Sequence, residues 1–214
     1  MEAELLWNCL ADNWALASLP LVATLGLAAT AEAGEAGTEP PGSQAPKPQL
    51  PKEKQTVLGL YATAKEAYEK WRAEPGKVKI IDVRTPEEYL FVGHPTMAWK
   101  IPVATQSYEW DAEKQQFPMK PLMDFPTRVS EVAKPEDTLM VMCRSGGRSA
   151  IAANFLAKAG YKNVYNIIDG MEGDANADSE SVAQAQSLKD GWKNSGCPWT
   201  KKLTLDRMVL PKAR

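Results

Sequence analysis

The chain has 214 residues, 25 basic against 27 acidic side chains, and 44% hydrophobic residues. That length suits one domain with its own core plus flanking tails, and the balanced charge excludes the overall positive field that gathers nucleic acid or anionic lipid. Cys9, Cys143 and Cys197 lie far apart and His94 is the only histidine, a spacing that fits neither a zinc site nor a disulfide framework. No metal or cofactor is expected, and any cysteine chemistry should be that of a single thiol.

From Trp14 to Ala29 the chain reads WALASLPLVATLGLAA, shorter than a comfortable membrane span and of the length of a signal-peptide core. Small residues at Ala29, Ala31 and Ala33 follow as overlapping A-x-A sites. Residues 1–31 are therefore expected to be a signal peptide or membrane tether, giving a periplasmic or otherwise exported protein that meets a membrane only if the segment stays uncleaved. The preceding residues carry Glu2, Glu4 and Asp12 and no Lys or Arg, unlike the basic start of a signal peptide, so a cytoplasmic location is the alternative. Residues 32–55, rich in Pro, Gly, Ala and Glu, read as a disordered linker.

Thr63 and Glu66 make a capping box, and Ala64, Ala67, Tyr68 and Trp71 recur at helical spacing behind it. Lys79 to Arg84 reads as a strand, Pro86 to Phe91 as a helix, and Met97 to Val103 as extended chain. A helix near Thr127 to Ala133, a buried strand Thr138 to Cys143, a helix from about Ser149 to Ala159 stopped by Gly160, and a strand Asn163 to Asp169 follow. The alternation predicts an α/β domain on a mainly parallel sheet flanked by helices on both faces. Residues 172–190 are polar, rich in Ala and Ser, and read as a surface insertion. Asp174, Asn176, Asp178 and Glu180 alternate there, but Ser179 and Ala185 stand where a calcium loop needs glycine and glutamate, so no metal is expected.

The segment Cys143-Arg144-Ser145-Gly146-Gly147-Arg148-Ser149 leaves a buried strand and enters a helix, where α/β sheets place ligands. Its glycines let the backbone curl so that N–H groups point inward, and the helix N-terminus adds its positive end. Such a loop cradles an anion. With Arg144 and Arg148 beside it, Cys143 is expected to act as a thiolate. The plainer reading, a buried strand-end cysteine above a glycine turn, leaves the two arginines unexplained. Ser145 and Ser149 offer hydroxyls to the anion, although Ser149 can equally serve as a helix cap. Asp82 and Arg84, at the end of the earlier strand, are expected to form an internal ion pair or touch the loop, and His94 reads as structural.

This pattern resembles the rhodanese-like sulfurtransferases, whose active-site loop commonly reads C-R-x-G-x-R. The resemblance extends back through IIDVRTPEEY and the Gly93-His94 pair, forward through Ala153 to Tyr165, and ends at Trp192 to Pro198. It spans residues 58–200 and leaves 201–214 as a C-terminal tail. It implies a double displacement in which the Cys143 thiolate takes the outer sulfur of a small sulfur anion such as thiosulfate. The persulfide then passes it to cyanide or a thiol, a protein thiol among them. The resemblance gives Arg144 and Arg148 the donor's negative charge and the loop amides the persulfide.

Pro95, Met97 and Lys100 depart from the family pattern, and Cys197 is read as packing rather than as a second working thiol. Two rivals remain. A phosphatase or arsenate reductase of the same fold would place arginine where Ser149 stands; a non-catalytic binding module would keep the fold without turnover.

Overall fold

The computed structural model describes residues 50–175 and 188–211. The apolar N-terminal segment, Cys9, the linker up to residue 49 and the centre of the insertion, with Asn176, Asp178 and Glu180, lie outside the described residues.

The first half of the domain comprises β1 (Tyr61–Ala62), α1 (Ala64–Ala73), β2 (Val78–Asp82), α2 (Pro86–Phe91), β3 (His94–Pro95) and β4 (Trp99–Lys100). Next come β5 (Ala104–Gln106), β6 (Met119–Pro121), α3 (Phe125–Ser130), β7 (Thr138–Met142), α4 (Gly147–Lys158) and β8 (Val164–Ile167). The chain closes with β9 (Asp174–Ala175), β10 (Leu188–Lys189), α5 (Gly191–Asn194) and β11 (Trp199–Thr200). Five strands form one sheet in the order β1-β8-β7-β2-β4, every pair parallel.

Both central strands are apolar on both faces because both faces are covered. Ile81, Leu139 and Val141 pack against Phe125, Val129, Ala152 and Leu156 of α3 and α4. Ile80, Met140 and Met142 pack on the other face against Ala64 and Ala67 of α1 and Trp192 of α5. Each such large side chain contributes about 1.5–3 kcal/mol by leaving water. Helix starts are set by side chains: Thr63 accepts from the Glu66 amide at 3.3 Å, and Glu66 accepts from the Thr63 amide at 2.7 Å. Thr85 and Glu88 repeat the arrangement at α2.

Two expectations need correction. The linker does not run to residue 55: Lys52–Lys54 forms a 3-10 turn, Lys54 Nζ meets Asp174 Oδ2 at 2.6 Å, and the Val57 amide donates to Asn154 Oδ1 at 2.9 Å. Nor are residues 201–214 all tail. The Lys100 amide donates to Arg207 O at 2.7 Å and the Val209 amide to Lys100 O at 3.0 Å, so the C-terminal residues cover the open edge of β4. Within the insertion, β9 and β10 pair antiparallel and close its base. A hairpin of β5 and β6, with Trp110 edge-on to Phe117, fills a stretch for which the sequence predicts no element. Among the described residues no helix is long and apolar enough to cross a membrane.

Candidate functional site

Cys143 follows β7 directly, at the carboxyl end of a parallel strand. It is buried, and its Sγ accepts from the Gly146 amide at 3.2 Å and meets Ser149 Oγ at 3.4 Å. Gly146 makes this return possible: its φ is +102°, and a Cβ there would lie 2.4 Å from the Ile168 carbonyl oxygen. Its first two residues are held from behind by main chain. The Met171 amide donates to Cys143 O at 2.8 Å and the Glu172 amide to Arg144 O at 3.0 Å. Gly170 lets the chain approach this closely, since a Cβ would fall 2.5 Å from Arg144 O.

Ser149 stands in the first turn of α4, but Gly146 is the residue capping that helix and no side chain caps it. The Ser149 hydroxyl donates to Asn166 Oδ1 at 2.7 Å, so its bonds lie toward Cys143 and β8 rather than toward the helix end. Asn166, fully buried, spends its amide protons on Gly146 O at 3.0 Å and Lys54 O at 2.8 Å. The sequence reading missed Asn166. Its signal was a polar amide in a strand position flanked by apolar residues, which demands a buried partner.

Arg144 is exposed and lines a groove of about 440 Å³ with Arg148, Thr85, Glu87, Glu88 and Tyr108. Ser145 is half-buried, and Gly147 opens α4. Arg148 departs from expectation. Its terminal nitrogens, expected to face a bound anion, both donate to Glu88, each at 2.6 Å. Burial pushes the Glu88 carboxyl up, but the hydrogen bonds and charge of Arg148 outweigh it and hold the group below its ordinary range. Burial alone would lower the Arg148 guanidinium; Glu88 and the nearby Cys143 raise it. The pair places no net charge at the groove, so Arg144 carries the positive charge there that has no carboxylate on it among the described residues.

Asp82 and Arg84 are fully buried and pair with each other. Arg84 Nε reaches Asp82 Oδ1 at 2.9 Å and Arg84 Nη2 reaches Asp82 Oδ2 at 2.7 Å, with Gly93 O also 2.7 Å from Nη2. Their work is to fix the turn after β2. His94 lies 3.1 Å through Nδ1 from Pro95 O and edge-on to Tyr89. Cys197 packs with Ala64 and Trp192 on the sheet face opposite to the Cys143 layer, and burial pushes its thiol up. Among the described residues no group of His, Cys, Asp or Glu side chains is arranged to hold a metal ion.

Residues 63–177 match the rhodanese-like domain. The chain is 38% identical over 120 residues to uncharacterized protein RP600 of Rickettsia prowazekii (strain Madrid E), covering 56% of this chain and 80% of the relative. It is 34% identical over 92 residues to thiosulfate sulfurtransferase 16, chloroplastic, of Arabidopsis thaliana, covering 43% of this chain and 69% of the relative. The crystal structure of Rv0390 from M. tuberculosis superposes with a TM-score of 0.51 at 25% identity, over 66% of this chain and 99% of that one.

Proposed function

The chain belongs to the rhodanese-like domain family, and on that premise we propose that it is a sulfurtransferase working through a persulfide on Cys143. The observation that carries this reading is the setting of the sulfur. Sγ receives the Gly146 amide at 3.2 Å in a turn between a parallel strand and a helix N-terminus, with Arg144 exposed at the adjoining groove. Donors fixed around a sulfur stabilise the negative charge that passes through it as a second sulfur atom is taken up and handed on. The Cys143 thiolate attacks the outer sulfur of thiosulfate; the S–S bond of the donor breaks, its electron pair leaves on sulfite, and one negative charge stays on the persulfide. Cyanide or a thiolate then attacks the terminal sulfur and the pair returns to Cys143. No oxidant, metal or proton donor is consumed. Arg144 meets the incoming anion, and Arg148 acts as half of a buried ion pair that shapes the groove. Arg144→Ala should accordingly raise the KM for thiosulfate more than Arg148→Lys lowers kcat.

Purified protein incubated with thiosulfate should gain one sulfur atom by intact mass, located on Cys143, and should turn thiosulfate and cyanide into thiocyanate. Cys143→Ala should do neither while still melting cooperatively as a folded domain. A wild type that gains no sulfur and makes no thiocyanate refutes the proposal and leaves the binding-module reading.

A further inference from the structure

We infer that Asn166 is a positioning residue for sulfur transfer, holding the Ser149 hydroxyl against Cys143 Sγ and fixing the Gly146 turn through its carbonyl; this rests on the sulfurtransferase reading. The amide is oriented by its neighbours. Its nitrogen faces two carbonyl oxygens, Gly146 O at 3.0 Å and Lys54 O at 2.8 Å, while its oxygen faces the Ser149 hydroxyl at 2.7 Å. The flipped amide would set oxygen against two oxygens. Asn166 is thereby fixed to the N-terminal turn, to the loop and to α4, and it is fully buried. It does not touch the sulfur; of the two groups that do, it holds the Ser149 hydroxyl directly and the Gly146 amide only through the carbonyl of the same residue.

A serine hydroxyl has one proton. With Asn166 Oδ1 at 2.7 Å and Cys143 Sγ at 3.4 Å, that proton lies on the Asn166 side. When the electron pair returns to Sγ in the second step, a rotation about the Cβ–Oγ bond swings the same proton onto Sγ, and a bond to a charged acceptor is about twice as strong as a neutral one. Ser149 is then a donor with two stations, and Asn166 is the fixed one. Gly146 supplies the second contact, and Asn166 Nδ2 on its carbonyl fixes the peptide plane that follows, and through it the place of the Gly146 Cα, next to the amide that faces the sulfur. The groove side of the site, with Arg144, is untouched by this network. Loss of Asn166 should therefore slow the chemical step and leave donor binding alone.

Steady-state thiosulfate:cyanide kinetics of the full chain test this in wild type, Asn166→Ala, Asn166→Asp, Ser149→Ala and the Asn166→Ala/Ser149→Ala double variant, each with a thermal melt. Expected is a fall in kcat of about 10-fold or more in each single variant, the scale of one hydrogen bond to a charged group, with the KM for thiosulfate within about twofold of wild type. The double variant should be no slower than Asn166→Ala, because the two residues act as one unit. Losses that multiply in the double variant, or a wild-type kcat in Asn166→Ala or Ser149→Ala, overturn the inference. If Asn166→Ala does not fold, Ser149→Ala, which leaves the Asn166 amide on Gly146 O and Lys54 O and removes only the hydroxyl it holds, decides by the same split of kcat from KM. A wild type without thiocyanate production refutes the sulfurtransferase reading instead, so the two failures are told apart by the first protein measured.

Discussion

Replacing Glu88 by Gln perturbs the site at one charge. In the native protein its carboxylate accepts two Arg148 bonds of 2.6 Å and the Thr85 amide at 3.0 Å, with the two side chains 21% and 6% exposed. Gln keeps the shape and one acceptor oxygen, and turns an NH2 group toward a guanidinium that stays buried. Removing one partner of a buried pair costs about 3–5 kcal/mol. The retained acceptor puts Glu88→Gln near about 3 kcal/mol, a fall in Tm of about 6–12 °C for a domain of this size. The sign with pH follows from the direction of the shift. Because Arg148 holds the folded carboxyl below its ordinary range, the pair's contribution is present above the unfolded carboxylate value of about 4.3. It is lost as pH falls through the lower folded value, since stability follows the difference in bound protons. Calorimetric melts of both proteins from pH 7 downward should differ by the full amount at neutral pH and converge in acid. A difference under about 1 kcal/mol at pH 7 would place the pair among exposed ones and refute the reasoning, as would a gap that persists in acid. On the sulfurtransferase reading the variant also leaves the groove one positive charge richer, so its KM for thiosulfate should fall.

Gly146→Ala should lose stability beyond the roughly 1–3 kcal/mol of left-handed strain, because its Cβ would also strike the Ile168 carbonyl; thermal melts and persulfide loading should fall together, and an unchanged Tm contradicts the turn geometry. Lys54→Met should cost at most about 1 kcal/mol, since its partner Asp174 is 62% exposed; a loss of several kcal/mol in chemical denaturation would show that Lys54 does more than hold one exposed carboxylate. Cys197→Ala should keep sulfur transfer and carry its sulfur on Cys143, because Cys197 packs in the opposite layer; peptide mapping that finds the sulfur lost in this variant would make Cys197 part of the reaction.

Much of the fold was legible because its strongest signals are local. The capping box at Thr63, the apolar runs of β2 and β7 and the proline opening α2 each rest on a few adjacent residues, and the structure has them where the sequence puts them. What escaped is long-range. The β5–β6 pair has three residues on each side and no alternation to announce it, and Arg207 to Val209 cover β4 through backbone bonds that leave no mark on side-chain pattern. The tight turn from β7 into α4 could be read from Cys143 and its glycines. That Arg148 turns to Glu88 rather than outward could not, because 60 residues separate the two. Asn166, 20 residues from the Gly146 carbonyl it holds, escaped for the same reason.

The backbone clamp behind the loop bears on how this protein can diverge. Cys143 and Arg144 are held by the amides of Met171 and Glu172, which every residue type but proline can supply. Side chains at those two positions are therefore free to drift so far as the clamp is concerned, whereas an added or missing residue between Ile167 and Gly173 would shift both amides out of register with the carbonyls they serve. Beyond them the β9–β10 ladder fastens the two ends of the insertion to each other. Changes of length between those strands are thereby insulated from the sulfur, and homologous chains should differ in length there long before they differ by a single residue in the clamp.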